Sequence, residues 1–266
     1  MNACSQALHR EIHMTRTSAQ SLRWLGGMCS LVVAQMIGSV QAHAAINIDR
    51  TRIIFNGKEH SSSVILENQS RHLPYLAQSW IENAQGVKDN NYIMALPPMQ
   101  RIEPTEKSQV RLMKMDTIRQ LPTDRETLFY FNVREVPPKS ELENVMQVAI
   151  QSRIKLFYRP EAIKPRDGDV WQDRLQVARS GQTLTITNPT PYYITIGYMA
   201  GDDHKNFAKF DSVMVAPFGH EQYTPPTSYH GNEYTLGFID DYGGLNMRVY
   251  DCTSSTCTMQ TPHKER

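Results

Sequence analysis

The segment Leu121–Pro137 constrains this chain more than any other. It reads L-P-T-D-R-E-T-L-F-Y-F-N-V-R-E-V-P. Leu128, Tyr130 and Asn132 alternate with Phe129, Phe131 and Val133. A period of two puts these sets on opposite faces of one strand. Large side chains on both faces predict a strand covered on both sides. Pro122 and Asp124 punctuate its entry, and Pro137-Pro138 its exit. Such a strand belongs to a layered β-structure and not to an exposed hairpin.

The remaining sequence supplies the layers. The chain has 266 residues and a net charge of +1. That length suits two domains. The balanced charge offers no basic field for nucleic acid. Between Ile46 and Tyr158, strand-like runs recur with turn signals between them: Ile46–Phe55, Val64–Leu66, Leu73–Ile81, Tyr92–Leu96, Val110–Leu112, Leu128–Val133 and Met146–Tyr158. About seven strands is the number an immunoglobulin-like sandwich needs. A polar, turn-rich stretch from Ala162 to Val170 follows. Further runs at Leu184–Thr187, Tyr192–Tyr198, Val213–Ala216, Tyr234–Ile239 and Met247–Cys252 predict a second sandwich. The expected fold class is therefore all-β, with two immunoglobulin-like β-sandwich domains.

The N-terminal residues have a different composition. Arg10, Arg16 and Arg23 precede an apolar run from Trp24 to Val40, and Ala42-His43-Ala44 has the small-x-small form of a cleavage site. Residues 1–44 are expected to be a cleaved signal peptide. The run is too short for a membrane anchor and is interrupted by Gln35 and Gly38, so no membrane insertion of the mature chain is expected. Cys4 and Cys29 leave with this leader, and Cys252 and Cys257 remain. In an oxidising compartment this pair is expected to form a disulfide. A metal site is the competing use, but no His pair lies nearby to complete it.

Catalytic signatures are absent: the sequence has no G-x-S-x-G, P-loop, H-E-x-x-H or dinucleotide fingerprint. No catalytic residues, metal site or cofactor are expected. Asp240-Asp241 and Asp202-Asp203 suit turn or interdomain roles better than calcium binding.

Several blocks, in order, resemble the PapD-like periplasmic pilus chaperones. These are Ile48-Asp49-Arg50-Thr51-Arg52, Leu73-Pro74-Tyr75-Leu76-Ala77-Gln78, the Leu121–Pro137 segment, Ile154–Pro160, Asn188-Pro189-Thr190-Pro191-Tyr192-Tyr193 and Asp241-Tyr242-Gly243-Gly244. The resemblance implies a boomerang of two domains: 45–163, a linker at 164–170, and 171–266. It implies a periplasmic chaperone that donates its seventh strand to pilus subunits lacking one, then delivers them to an outer-membrane usher. Pilus subunits and the usher are thus the expected partners. An exposed donor edge also offers a route to self-association.

The resemblance assigns residue roles as well. Arg52 and Lys155 match a pair that anchors the subunit's terminal carboxylate. Met146, Val148 and Ile150 match the donor strand, although their periodicity alone suits an ordinary core strand equally. Glu126, Arg159 and Asp241 match a network that sets the interdomain angle. Pro74, Pro97 and Pro98 match prolines that help close the unoccupied donor region, with Leu96 where a smaller polar residue is expected. The short Pro137–Val145 connection matches the short-loop subclass. Lys155 has opposite parity to Met146, Val148 and Ile150, so a bulge or strong twist is expected between them.

Overall fold

The computed structural model describes residues 44–140, 144–201, 207 and 210–260. Apart from Ala44, the expected leader lies outside these residues, as do Asp202 and Asp203.

Nine strands form the first sandwich: β1 (Ile46–Ile48), β2 (Arg52–Asn56), β3 (Ser61–Asn68), β4 (Tyr75–Asn83), β5 (Ile93–Leu96), β6 (Met99–Ile102), β7 (Lys107–Lys114), β8 (Thr127–Val136) and β9 (Gln151–Arg159). One sheet runs β1-β3-β7-β5 and the other β2-β9-β8-β4-β6. Val64, Leu66 and Leu112 from the first sheet and Phe55, Phe131 and Leu156 from the second are fully buried between them. β8 is an inner strand, flanked by β4 and β9. The face opposite its core side is partly closed, with Leu128 at 5% exposure and Asn132 at 0%, while Tyr130 is half-buried and Arg134 exposed.

Ile46–Phe55 is two strands and not the single one expected. β1 pairs antiparallel with β3, whereas β2 pairs parallel with β9 in the other sheet. The polar Asp49-Arg50-Thr51 carries the chain across, and Asp49 N donates to Ile65 O. Pro97-Pro98 makes a second crossing, from β5 to β6, with a cis bond at Leu96–Pro97. Proline lacks the N–H that a ladder requires, which suits a point of sheet exchange.

The second sandwich comprises β10 (Gln176–Ser180), β11 (Thr183–Thr187), β12 (Ile194–Ala200), β13 (Val213–Val215), β14 (His220–Tyr223), β15 (Glu233–Ile239), β16 (Leu245–Asp251) and β17 (Thr258–Met259). Its sheets run β10-β11-β14 and β13-β12-β15-β16-β17. Leu184, Ile186, Ile196, Tyr234 and Leu236 fill the core. The Cys252–Cys257 disulfide closes the β16–β17 connection. Cys257 N donates to Val177 O and Arg179 N to Ser255 O, so this crosslinked connection also ties to β10 in the facing sheet.

Candidate functional site

The site lies where β2 and β9 meet the second sandwich. The alternate residues Lys155, Phe157 and Arg159 of β9 face away from the first core, and each contacts the second domain. Lys155 Nζ donates to Thr195 Oγ1 at 3.2 Å. Phe157 stacks on Tyr193 with ring centroids 5.5 Å apart. Arg159 Nε donates to Glu126 Oε1 at 2.7 Å, and its Nη1 and Nη2 donate to the two oxygens of Asp241 at 2.7 and 3.0 Å.

Arg159 and Glu126 are almost completely buried, so their charges depend on each other. Glu126 Oε2 also accepts from Tyr193 N at 2.7 Å, and Glu126 N donates to Pro191 O at 2.9 Å. Burial pushes the Glu126 carboxyl up to about 7, with Arg159 pulling the other way. The Arg159 guanidinium lies over the rings of Trp171 and Tyr192, at 5.0 and 5.1 Å from their centroids. One arginine therefore links Glu126 of the first domain to Asp241 and two aromatic rings of the second half.

Arg52 lies directly opposite Lys155 in the parallel β2–β9 pair. Its Nη1 donates to Ile239 O at 3.2 Å, while its buried Nε has no acceptor among the described residues. Burial, reinforced by the Arg52 charge, lowers the Lys155 ammonium to about 8. A pocket of about 700 Å³ opens on the Arg52 side of the pair, lined among others by Arg52, Arg159, Phe238, Asp241, Tyr242 and Arg248 and by the linker residues Lys164–Val170, but not by Lys155.

Met146, Val148 and Ile150 precede this site. β9 begins only at Gln151, so the expected strand from Met146 is shortened. Met146 is 90% exposed and Val148 65%, while Ile150 is half-buried and its carbonyl accepts from Glu135 N. The expected bulge is absent: β9 runs against β8 in unbroken register from Gln151 to Tyr158. Two faces explain the parity. Lys155 belongs to the cleft side, whereas Met146, Val148 and Ile150 share the parity of core-facing Leu156.

Residues 45–164 match the family described as "Pili and flagellar-assembly chaperone, PapD N-terminal domain", and residues 170–250 match "Pili assembly chaperone PapD, C-terminal domain". The chain belongs to the PapD family of pilus-assembly chaperones. It is 48% identical over 225 residues to the fimbrial chaperone YbgP of Escherichia coli K12, covering 84% of this chain and 92% of that one. To the chaperone protein PapD of Escherichia coli it is 45% identical over 221 residues, covering 82% and 91%. A solved chain from the Salmonella enterica SafA pilin–SafB chaperone complex superposes with a TM-score of 0.69 at 26% identity, covering 80% of this chain and 98% of that one.

Within this candidate site, sequence reasoning missed Thr195 and the Ile239 carbonyl. Both acquire their positions through pairing, since Thr195 and Ile239 lie opposite each other on β12 and β15. A lone threonine and a backbone oxygen carry no sequence signal. Asp240 lies beside the network and caps its own turn, accepting from Tyr242 N and Gly244 N.

Proposed function

We propose that this chain is a non-catalytic periplasmic chaperone that captures pilus subunits by donor-strand complementation and passes them to an outer-membrane usher. Residues 45–163 act as the donor domain, 164–170 as the linker and 171–266 as the second domain. The observation that carries this reading is the exposed run from Met146 to Ala149, which continues through half-buried Ile150 into the strand that bears Lys155 opposite Arg52. A subunit lacking a strand exposes apolar surface and unpaired backbone groups. An unpaired extended segment with alternating apolar side chains satisfies both needs. In this reading the subunit's terminal carboxylate binds Arg52 and Lys155. The unpartnered Arg52 Nε supports that role, because a buried donor without an acceptor is costly until one arrives. Each charge-assisted bond contributes roughly 1.5–3 kcal/mol. A fixed chain end also sets register, since slipping one residue turns every apolar side chain away from its pocket. Glu126, Arg159 and Asp241 hold the two domains in the orientation that keeps the pair accessible. The solved SafA–SafB structure adds support, being a pilin in complex with a chaperone.

Co-expression with a pilus subunit tests the proposal. A stable one-to-one complex is expected where the subunit alone aggregates. Aggregation of the subunit despite abundant chaperone overturns it.

A further inference from the structure

Among the methionines of the described residues, Met146 is the most accessible. It is 90% exposed, against 50% for Met99, 41% for Met247 and 0% for Met199; the others are half-buried. Position explains the difference. Met99 belongs to β6 and pairs with Gln78 of β4. Met247 belongs to β16, and a Cβ on Gly237 would lie 2.7 Å from its Sδ, so this sulfur rests on bare backbone. Met146 precedes β9, in extended chain outside the ladder. The nearest fixed points of that run are the bond from Gln147 Nε2 to Pro138 O, at 2.6 Å, and that from Glu135 N to Ile150 O. Neither involves the Met146 side chain, so its sulfur meets dissolved molecules directly.

Strand addition makes an opposite demand on the same side chain. Met146 shares the parity of Val148 and Ile150, so all three enter a subunit groove together. A thioether is apolar enough to be buried there. A sulfoxide is not, because its oxygen is a strong acceptor, and burying it without a donor is costly. Val148 and Ile150 have no group that can change in this way.

We infer that Met146 is an oxidative modification site, where oxygen transfer from a hydroperoxide closes the free chain to subunits. A sulfur lone pair attacks one peroxide oxygen. The S–O bond forms as the O–O bond breaks, and the departing hydroxide takes the proton left on the transferred oxygen. The products are the sulfoxide and water, with sulfur oxidised and the peroxide reduced. A captured subunit covers the sulfur, so loaded chaperone is spared while free chaperone is switched off. This rests on the reading of Met146–Ile150 as the donor run.

The probes are hydrogen peroxide and a purified pilus subunit without its N-terminal extension. Graded peroxide followed by peptide mass mapping should show Met146 gaining oxygen ahead of Met99 and Met247. At the dose that converts Met146, subunit affinity of the wild-type chain should fall by about tenfold with its melting temperature unchanged. M146L, compared with its own untreated affinity, should not respond to peroxide. In a preformed one-to-one complex Met146 should be protected. Oxidation of Met146 no faster than Met99 overturns the inference, as does an oxidised wild-type chain that binds as before. An equal peroxide response in M146L, or equal oxidation of Met146 in the complex, also overturns it. V148D distinguishes the two readings. Capture lost in V148D but kept by the oxidised chain overturns the oxidation site alone, whereas capture kept in V148D removes the donor reading and this inference with it.

Discussion

Arg52 and Lys155 are register partners on parallel strands, and each donates across the cleft to one of a second pair of register partners, Ile239 and Thr195. The two cationic heads thus rest on the chain's own second domain, on a carbonyl and a hydroxyl. Neither acceptor carries a full charge. A carboxylate accepts more strongly from both cations, so an arriving chain end would displace weak partners.

Lys155 gives the site a pH dependence. Burial and Arg52 lower its ammonium from 10.5 to about 8 in the free chain. A bound carboxylate favours the charged form and raises it again. Capture should therefore weaken as pH rises through about 8, by up to roughly tenfold if one charge-assisted bond of about 1.5 kcal/mol is lost. The free fold should respond in the opposite sense. Between about 8 and 10.5 the unfolded lysine binds the proton that the folded one has released, so this group adds stability as pH rises and loses it as pH falls through about 8. Titration of subunit affinity from pH 6.5 to 9.5, with K155M as the flat control, checks the capture arm.

Glu126 and Arg159 should respond differently to removal. Burial raises the Glu126 carboxyl to about 7, and both its oxygens accept, from Arg159 Nε and Tyr193 N. E126Q keeps one acceptor and turns its amide NH2 toward the other donor, so it should cost about 1–3 kcal/mol, with Asp241 still pairing with Arg159. R159A strands a buried carboxyl and removes the bonds to Asp241, and should cost about 3–5 kcal/mol. Urea unfolding of the two variants measures the contrast.

Val148 separates a donor residue from a core residue. It is 65% exposed and lies ahead of the paired part of β9. V148D should leave the free protein's melting temperature within about 2 °C while abolishing subunit capture, because surface substitutions rarely exceed about 0.5 kcal/mol. A large drop in melting temperature would place Val148 in the chaperone's own core.

The sequence revealed strands in proportion to how much of their surface is buried. β8 was plain because one face is buried from Phe129 to Val133 and the other largely so, with Tyr130 half-buried between Leu128 and Asn132. β6 escaped because Met99 and Arg101 are exposed and Ile102 alone is fully buried. β14 escaped because three of its four residues are exposed, and β17 because it has only two residues. These are edge strands defined by backbone pairing more than by side chains. The split of Ile46–Phe55 was hidden because both halves are apolar, and only their partners distinguish them. At the site, the charged residues were readable from motifs. Their opposition was not, because the Arg52–Lys155 register is a product of long-range pairing. The parity of Lys155 called for a bulge or a strong twist only if one strand served one face; β9 runs in unbroken register from Gln151 to Tyr158 and serves two.

The central claim is that Arg52 and Lys155 together hold the subunit's chain end while the Met146–Ile150 segment completes its fold. The most direct test is the affinity of R52A, K155A and the double variant for a purified pilus subunit, with folding checked by circular dichroism. Each single variant should bind at least tenfold more weakly, the double should form no isolable complex, and all should remain folded. Wild-type affinity in the folded double variant would contradict the claim.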